Sequence, residues 1–137
     1  MTKKFAMAAV AAAFVLSASA AMAADVMSPR APASAKGDAN PVAVNGDSVA
    51  LGEELFQEIG CNGCHGDAGT GDGPAAAGMD PAPRNFTDGA WQDARTDGEL
   101  KYTIFMGSDG TAMIANEAMF DEAEDVWHVV NYLRSLK

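Results

Sequence analysis

The chain has 137 residues, so one domain is the default. Its 9 Lys and Arg face 19 Asp and Glu, a formal net charge of −10, which excludes nucleic acid as a partner because a phosphate backbone wants the opposite sign. Hydrophobic residues are 48% and charged residues 20%, so the chain is not disordered by composition, and with 2 Cys it is no multi-disulfide scaffold.

Lys3 and Lys4 open the chain, an Ala-rich apolar run follows over 5–18, and Ala21-Met22-Ala23 places small residues where a signal peptidase reads. Residues 1–23 are therefore expected to be a secretory signal peptide, cleaved after Ala23. A membrane anchor would want about 20 strongly apolar residues and no such cleavage site. Beyond residue 23 stand 7 basic and 19 acidic residues, in a chain bound for an exported, oxidising compartment, the periplasm. No second long apolar run follows, so the mature form is expected not to span a membrane.

Residues 24–46 are rich in Ala, Pro, Ser, Asn and Gly, with no period, and are expected to form a flexible lead or tether that buries little. The folded domain is expected over 47–137. Asp47 or Ser48 can cap a first helix, in which Leu51, Leu55 and Ile59 recur at i, i+4 and i+8 with Phe56 beside them, and which Gly60 ends. Residues 63–89, dense in Gly and Pro, predict a long irregular stretch of the kind that is functional or wraps around something. Thr96-Asp97-Gly98-Glu99 fits a capping box that starts a second helix carrying Leu100, Ile104 and Phe105, with Gly107 as its stop. Another irregular stretch covers 108–120. A last helix is expected from Asp121, with acids in its first turns and an apolar stripe of Val126, Val129, Val130 and Leu133. Nothing alternates convincingly with period two, so the fold class is all-α: three main helices and long loops.

Cys61-Asn62-Gly63-Cys64-His65 is the most informative feature. C-x-x-C-H is the spacing of covalent haem attachment. Two intervening residues on one short helical turn let the thiols of Cys61 and Cys64 reach the two haem vinyl groups, and the adjacent His65 reaches the iron. Three other readings are weaker. A disulfide would close a very small loop, a thioredoxin-like pair expects a βαβ setting, and a zinc knuckle needs a second ligand pair where only His128 remains.

Further motifs follow in order: Gly52-x-x-x-Phe56, then Cys61 to Gly66, Gly69-x-Gly71-x-Gly73-Pro74, Pro83-Arg84-Asn85-Phe86, Gly110-Thr111-Ala112-Met113, and Trp127 with Asn131-Tyr132-Leu133-Arg134-Ser135-Leu136. On these the chain from about Ser48 to Lys137 resembles a class I c-type cytochrome of the small, soluble, bacterial monohaem kind. The resemblance implies a helical cytochrome c fold around one covalently attached haem c, with the first and last helices crossing near Gly52, Phe56 and Tyr132. It also implies a sixth iron ligand, for which Met113 stands on the family pattern Gly-Thr-x-Met. Ile114, where such cytochromes often carry Pro, and a slightly long spacing to the last helix keep Met119 as the alternative. Met27 lies in the lead, Met79 lies close in sequence to His65, and Met106 is expected in the core. By the same resemblance a proline carbonyl, that of Pro83, takes the free N–H of His65. Arg84, Asn85, Trp91 and Tyr102 are candidate donors to the haem propionates. His128 is expected to be a solvated surface residue.

A haem held by His and Met has no open coordination position, so the expected role is outer-sphere electron transfer and not enzyme catalysis. The carrier would shuttle between a dehydrogenase or respiratory complex and an oxidase or other acceptor. Its acidity would steer it to redox proteins with basic docking surfaces, with the carrier itself a monomer. Two other roles stand beside it: a dedicated cytochrome subunit of a periplasmic dehydrogenase, and a haem enzyme or sensor with five-coordinate iron.

Overall fold

The computed structural model describes residues 31–137, and the expected signal peptide at 1–23, like Met27, lies outside them. In chain order the described elements are α1 (Ala33–Lys36), α2 (Gly46–Glu58), α3 (Asn62–His65), α4 (Gly89–Asp93), α5 (Asp97–Met106), a 3-10 turn (Glu117–Met119) and α6 (Asp125–Ser135). No strand occurs among the described residues, and the fold is all-α, as its sequence periodicity predicts. None of the described helices is long and apolar enough to cross a membrane.

The three main helices form where expected, with differences at their edges. Asn45, not Asp47 or Ser48, caps α2: it sits in extended backbone and its side chain accepts from the Ser48 N–H at 2.8 Å. The stripe that α2 buries is Ser48, Gly52 and Phe56, one position round from the expected Leu51, Leu55 and Ile59. The reason is close approach. A Cβ at Gly52 would lie 2.5 Å from the carbonyl carbon of His128 and 2.9 Å from Tyr132 Cβ, so only Gly lets α6 cross here. Below the crossing the Phe56 and Tyr132 rings meet at 5.3 Å between centroids. The crossing near Gly52, Phe56 and Tyr132 is thus present.

The capping box of α5 is complete: Thr96 Oγ1 accepts from Glu99 N–H at 3.2 Å and Glu99 Oε2 accepts from Thr96 N–H at 2.9 Å. Gly107, at φ 77°, ends the helix. Helix α6 begins at Asp125 and not at Asp121. Its approach is a pair of tight turns, Asp125 N to Glu122 O at 3.0 Å and Trp127 N to Glu124 O at 2.9 Å, with no side-chain cap to start it earlier.

Over its described part the lead buries little, as expected, with Ala31 the one buried residue of 31–46, but it is tied to the domain by specific contacts. Helix α1 lies on α5 with the Ala35 carbonyl against Gly98, and Lys36 pairs with Glu99 at 3.2 Å. Asn40 then donates to Asn131 on α6 at 2.8 Å. A few small contacts, invisible as periodicity, hold the segment down. His128, expected to be a solvated surface residue, is half-buried: its Nδ1 accepts from the hydroxyl of buried Ser48 at 2.9 Å, and that hydroxyl also accepts from Asn131 Nδ2 at 2.7 Å. The network sits at the α2–α6 crossing.

Candidate functional site

One helical turn, α3, carries the C-x-x-C-H motif. Phe56 O accepts from Cys61 N–H at 3.0 Å, so the turn starts directly off the end of α2, and His65 N–H closes back on Cys61 O at 3.0 Å. A return loop then covers the turn with three backbone bonds: Gly71 N to His65 O at 2.7 Å, Gly73 N to Cys64 O at 3.1 Å and Ala75 N to Gly63 O at 2.8 Å. The glycines of 66–73 allow this close approach, and Gly73 lies directly against the α3 backbone.

The turn opens onto a cleft of about 370 Å³, in the size range of small-molecule and cofactor sites. Cys61, Cys64 and His65 line it together with Met113, from the loop after α5, and with Pro83, Arg84, Trp91 and Arg95. Both thiols are half-buried and unbonded to each other. Burial, above all, pushes the Cys61 thiol up to about 11, so it is protonated at neutral pH.

His65 is buried, and its ring is fixed from two directions. Phe86 stacks on it at 4.4 Å between centroids and 26° between planes. Its Nδ1 donates to a backbone carbonyl at 3.0 Å, and that carbonyl belongs to Arg84, not to Pro83 as expected. The Pro83 carbonyl faces Gly71, where a Cβ would lie 2.5 Å from it. Burial lowers the His65 pKa against the smaller opposing pull of the Arg84 carbonyl. The ring is therefore neutral, with Nδ1 protonated and Nε2 free to act as a ligand.

The Met113 loop is shaped by its own polar groups. Met113 O accepts from Ser108 N–H at 2.9 Å, Met113 N–H meets Thr111 Oγ1 at 3.2 Å, and Asn116 Nδ2 donates to Ile114 O at 2.8 Å. Met79 also lines the cleft. Met119 does not: it lies on the 3-10 turn and is 58% exposed. Met106, expected in the core, is 50% exposed because it ends α5 on the outer side, facing a shallow groove.

The candidate anion donors divide. Trp91 Nε1 is buried with no hydrogen-bond partner, and Arg84 lies over the Trp91 ring at 5.3 Å. Burial, then the Arg95 charge, lowers the Arg84 guanidinium below its usual value, a cost that an anion alongside would offset. Tyr102 is outside the cleft and faces the shallow groove with Phe105 and Trp127. Asn85 is exposed and does not line the cleft, and its Oδ1 accepts from Thr87 N–H at 2.9 Å. Sequence reasoning missed Ser108, whose buried Oγ is also unpartnered, and Gln92, buried behind Trp91. Single polar residues without a motif carry no signal of their own.

A flat, largely apolar group with an anionic edge fits this cleft: two thiols, a neutral imidazole with one free nitrogen, thioethers, and an indole N–H without a partner all converge on it. Among the described residues no group of three or more His, Cys, Asp or Glu is placed to hold a bare metal ion.

Residues 49–137 match the Cytochrome c family, and the chain belongs to it. The chain is a haem electron-transfer protein of the c type, the class whose haem is covalently bound. Among solved structures it is similar, at 25% identity and a TM-score of 0.60, to a chain of the Kuenenia stuttgartiensis reducing HAO-like protein complex. The match covers 70% of this chain and 46% of that one, so it spans under half of its neighbour's length. No curated protein matches the chain.

Proposed function

We propose that this is a periplasmic, monomeric one-electron carrier with a single haem c. The observation that carries the reading is the convergence of Cys61, Cys64, His65 and Met113 on one cleft. Cys61 and Cys64 would hold the haem through thioethers, and His65 Nε2 and the Met113 thioether would be the axial ligands. When bound, the haem supplies a ferric/ferrous couple. The protein's own contribution is positional. The Arg84 carbonyl and the Phe86 ring orient His65, and Ser108, Thr111 and Asn116 shape the Met113 loop. Trp91 Nε1 and the Arg84 guanidinium supply donors for the propionates. With His65 and Met113 both holding the iron, no position would be left for a substrate, and the protein would transfer electrons without chemistry of its own. Export on residues 1–23 as a cleaved leader is part of the same reading, supported by Lys3, Lys4 and Ala21-Met22-Ala23.

Charge supports a basic partner. Residues 37–83 hold eight acids and residues 102–133 six, with no Lys or Arg in either segment. These segments supply most of the cleft's walls, and the exposed residues among its lining, Gly60, Ala82, Ala112 and Ile114, are all uncharged. An uncharged rim on a strongly acidic chain suits fast, weak docking onto a redox protein with a basic surface. A second reading, a dedicated subunit of a periplasmic dehydrogenase or other oxidoreductase, is favoured by the likeness to a chain of a protein complex. Co-purification with an enzyme separates the two.

The test of the site is spectroscopic. Haem should stay on the denatured wild-type chain and be lost from a Cys61→Ala/Cys64→Ala variant. Ferric protein should show the weak charge-transfer band at the red edge of the visible that thioether ligation gives. Met113→Ala should abolish that band and Met119→Ala should leave it. A band that survives Met113→Ala refutes the ligand assignment, and high-spin wild-type haem would favour the five-coordinate enzyme or sensor.

A further inference from the structure

We propose that Gln92 is a positioning residue for the iron's histidine, acting on the His65 ring through segment 84–86 without touching it. The inference rests on the reading of His65 as an axial ligand. Gln92 is 1% exposed, and every polar atom of its amide is used. Its Nε2 donates to Phe86 O at 2.9 Å and to Leu133 O at 2.7 Å, and its Oε1 accepts from Arg134 Nη1 at 2.8 Å. Arg134 is itself fixed, donating to the Gln92 and Arg95 carbonyls, each at 2.6 Å, and to Asp97 at 2.8 Å. The amide therefore ties segment 84–86 to α6.

That segment is what holds the imidazole. Phe86 N–H donates to Gly69 O at 2.7 Å, so the strand of chain is gripped by Gly69 on one edge and by Gln92 on the other. Both grips are on Phe86, whose ring is stacked on His65, and two residues before it stands the Arg84 carbonyl that accepts from His65 Nδ1. An apolar side chain of the same length would fill the volume. It would not hold the Phe86 carbonyl, and the distance from His65 Nδ1 to Arg84 O would no longer be set from behind. A tight Nδ1–H···O bond makes the imidazole a stronger donor, which favours the ferric state. Loosening it favours the ferrous state.

The experiment uses the haem-loaded protein and three variants. Gln92→Met removes the amide at constant length. Gln92→Asn, the second variant should the first not fold, keeps an amide too short to span both carbonyls. Asn131→Ala, at the α2–α6 crossing, is a control for lost stability alone. The reduction potential of both Gln92 variants should rise, with the redox equilibrium moving about two- to tenfold toward ferrous, tenfold being about 59 mV for one electron. Their ferric electron paramagnetic resonance g-values should move as well, while Asn131→Ala keeps the wild-type potential and g-values. Gln92 variants that melt earlier but keep both overturn the proposal, for Gln92 is then structural only. The underlying reading fails separately: His65→Ala would then leave the wild-type spectrum unchanged, whatever Gln92 does.

Discussion

Gly73→Ala should damage the site more than Gly63→Ala, although Gly63 lies inside the C-x-x-C-H motif and Gly73 outside it. At Gly63 an added Cβ meets nothing within 4 Å. At Gly73 it would lie 2.5 Å from Asn62 O, 2.7 Å from the Cys64 carbonyl carbon, and against Gly63 O, whereas real Cβ contacts stay beyond 3.0 Å. All three obstacles are backbone atoms of α3, so no side chain can swing aside. The return loop must move by about half an ångström or more, and this strains Gly73 N to Cys64 O and Ala75 N to Gly63 O. Two hydrogen bonds at about 1 kcal/mol each, with about 1–3 kcal/mol of overpacking, outweigh the few tenths to about 1 kcal/mol that Ala gains from a stiffer unfolded chain. The net loss is about 2–4 kcal/mol, on the order of 10–20 °C in Tm for a domain near this size. Thermal melting of the haem-loaded protein reads it, and haem absorbance per chain should fall because α3 no longer holds the thiols at their spacing. The steric argument is refuted if Gly73→Ala melts within about 3 °C of wild type, or if Gly63→Ala is the worse of the two.

Glu99 gives a pH dependence with a definite sign. Burial alone would raise its pKa, but the Thr96 N–H, Lys36 and Arg95 outweigh burial and hold it below the ordinary Glu value of 4.5. Its contribution is therefore fully present above that value and lost as pH falls through the lower folded value, so the stability gap between wild type and Glu99→Gln should be constant at neutral pH and shrink in acid denaturation profiles below pH 4.5. Trp91→Phe removes the unpartnered buried indole N–H and should lower the stability of the haem-loaded form by about 1.5–3 kcal/mol in denaturant titration, the worth of a bond to a charged group. No change would take Trp91 off the propionates. Asn116→Ala releases the carbonyl of Ile114 and leaves that of Ile104 only the backbone N–H of residue 116, and it should bleach the thioether band at a lower temperature than global unfolding, which parallel melts at the two wavelengths would show.

The sequence was most legible where chemistry is local. C-x-x-C-H needs its residues within one turn, and the Thr96–Glu99 capping box closes within four residues, so both can be read from spacing alone. What depends on approach between distant segments was less legible. The buried stripe of α2 was misjudged by one position because Ser48 and Gly52 contribute close contact and a hydrogen bond instead of hydrophobicity. The lead at 31–46 looked loose because Asn40 and Lys36 act through single tertiary bonds. Helix α4, held by Asp88 accepting from Ala90 and Trp91 N–H, is too short for any period to show. The His65 partner fell one residue from its expected place, for carbonyl direction follows backbone torsions that composition does not reveal. Tyr102 sits on α5 beside cleft residues in sequence but on the groove side in space.

The two sides of the cleft are anchored differently, and this bears on how an electron carrier can be tuned. The His65 side is tied across the whole domain: α3 to the return loop, segment 84–86 to Gly69 and Gln92, and Gln92 to Arg134 on α6. The Met113 side is tied within itself and to the end of α5, through Ser108, Thr111 and Asn116. Changes in α6 near Arg134 should therefore reach the imidazole and spare the thioether, whereas changes at Asn116 should do the reverse. If His65 and Met113 hold the iron as proposed, electron transfer with little reorganisation needs both of them in one geometry in both oxidation states. With separate anchors, donor strength at the histidine and retention of the methionine can be altered one at a time.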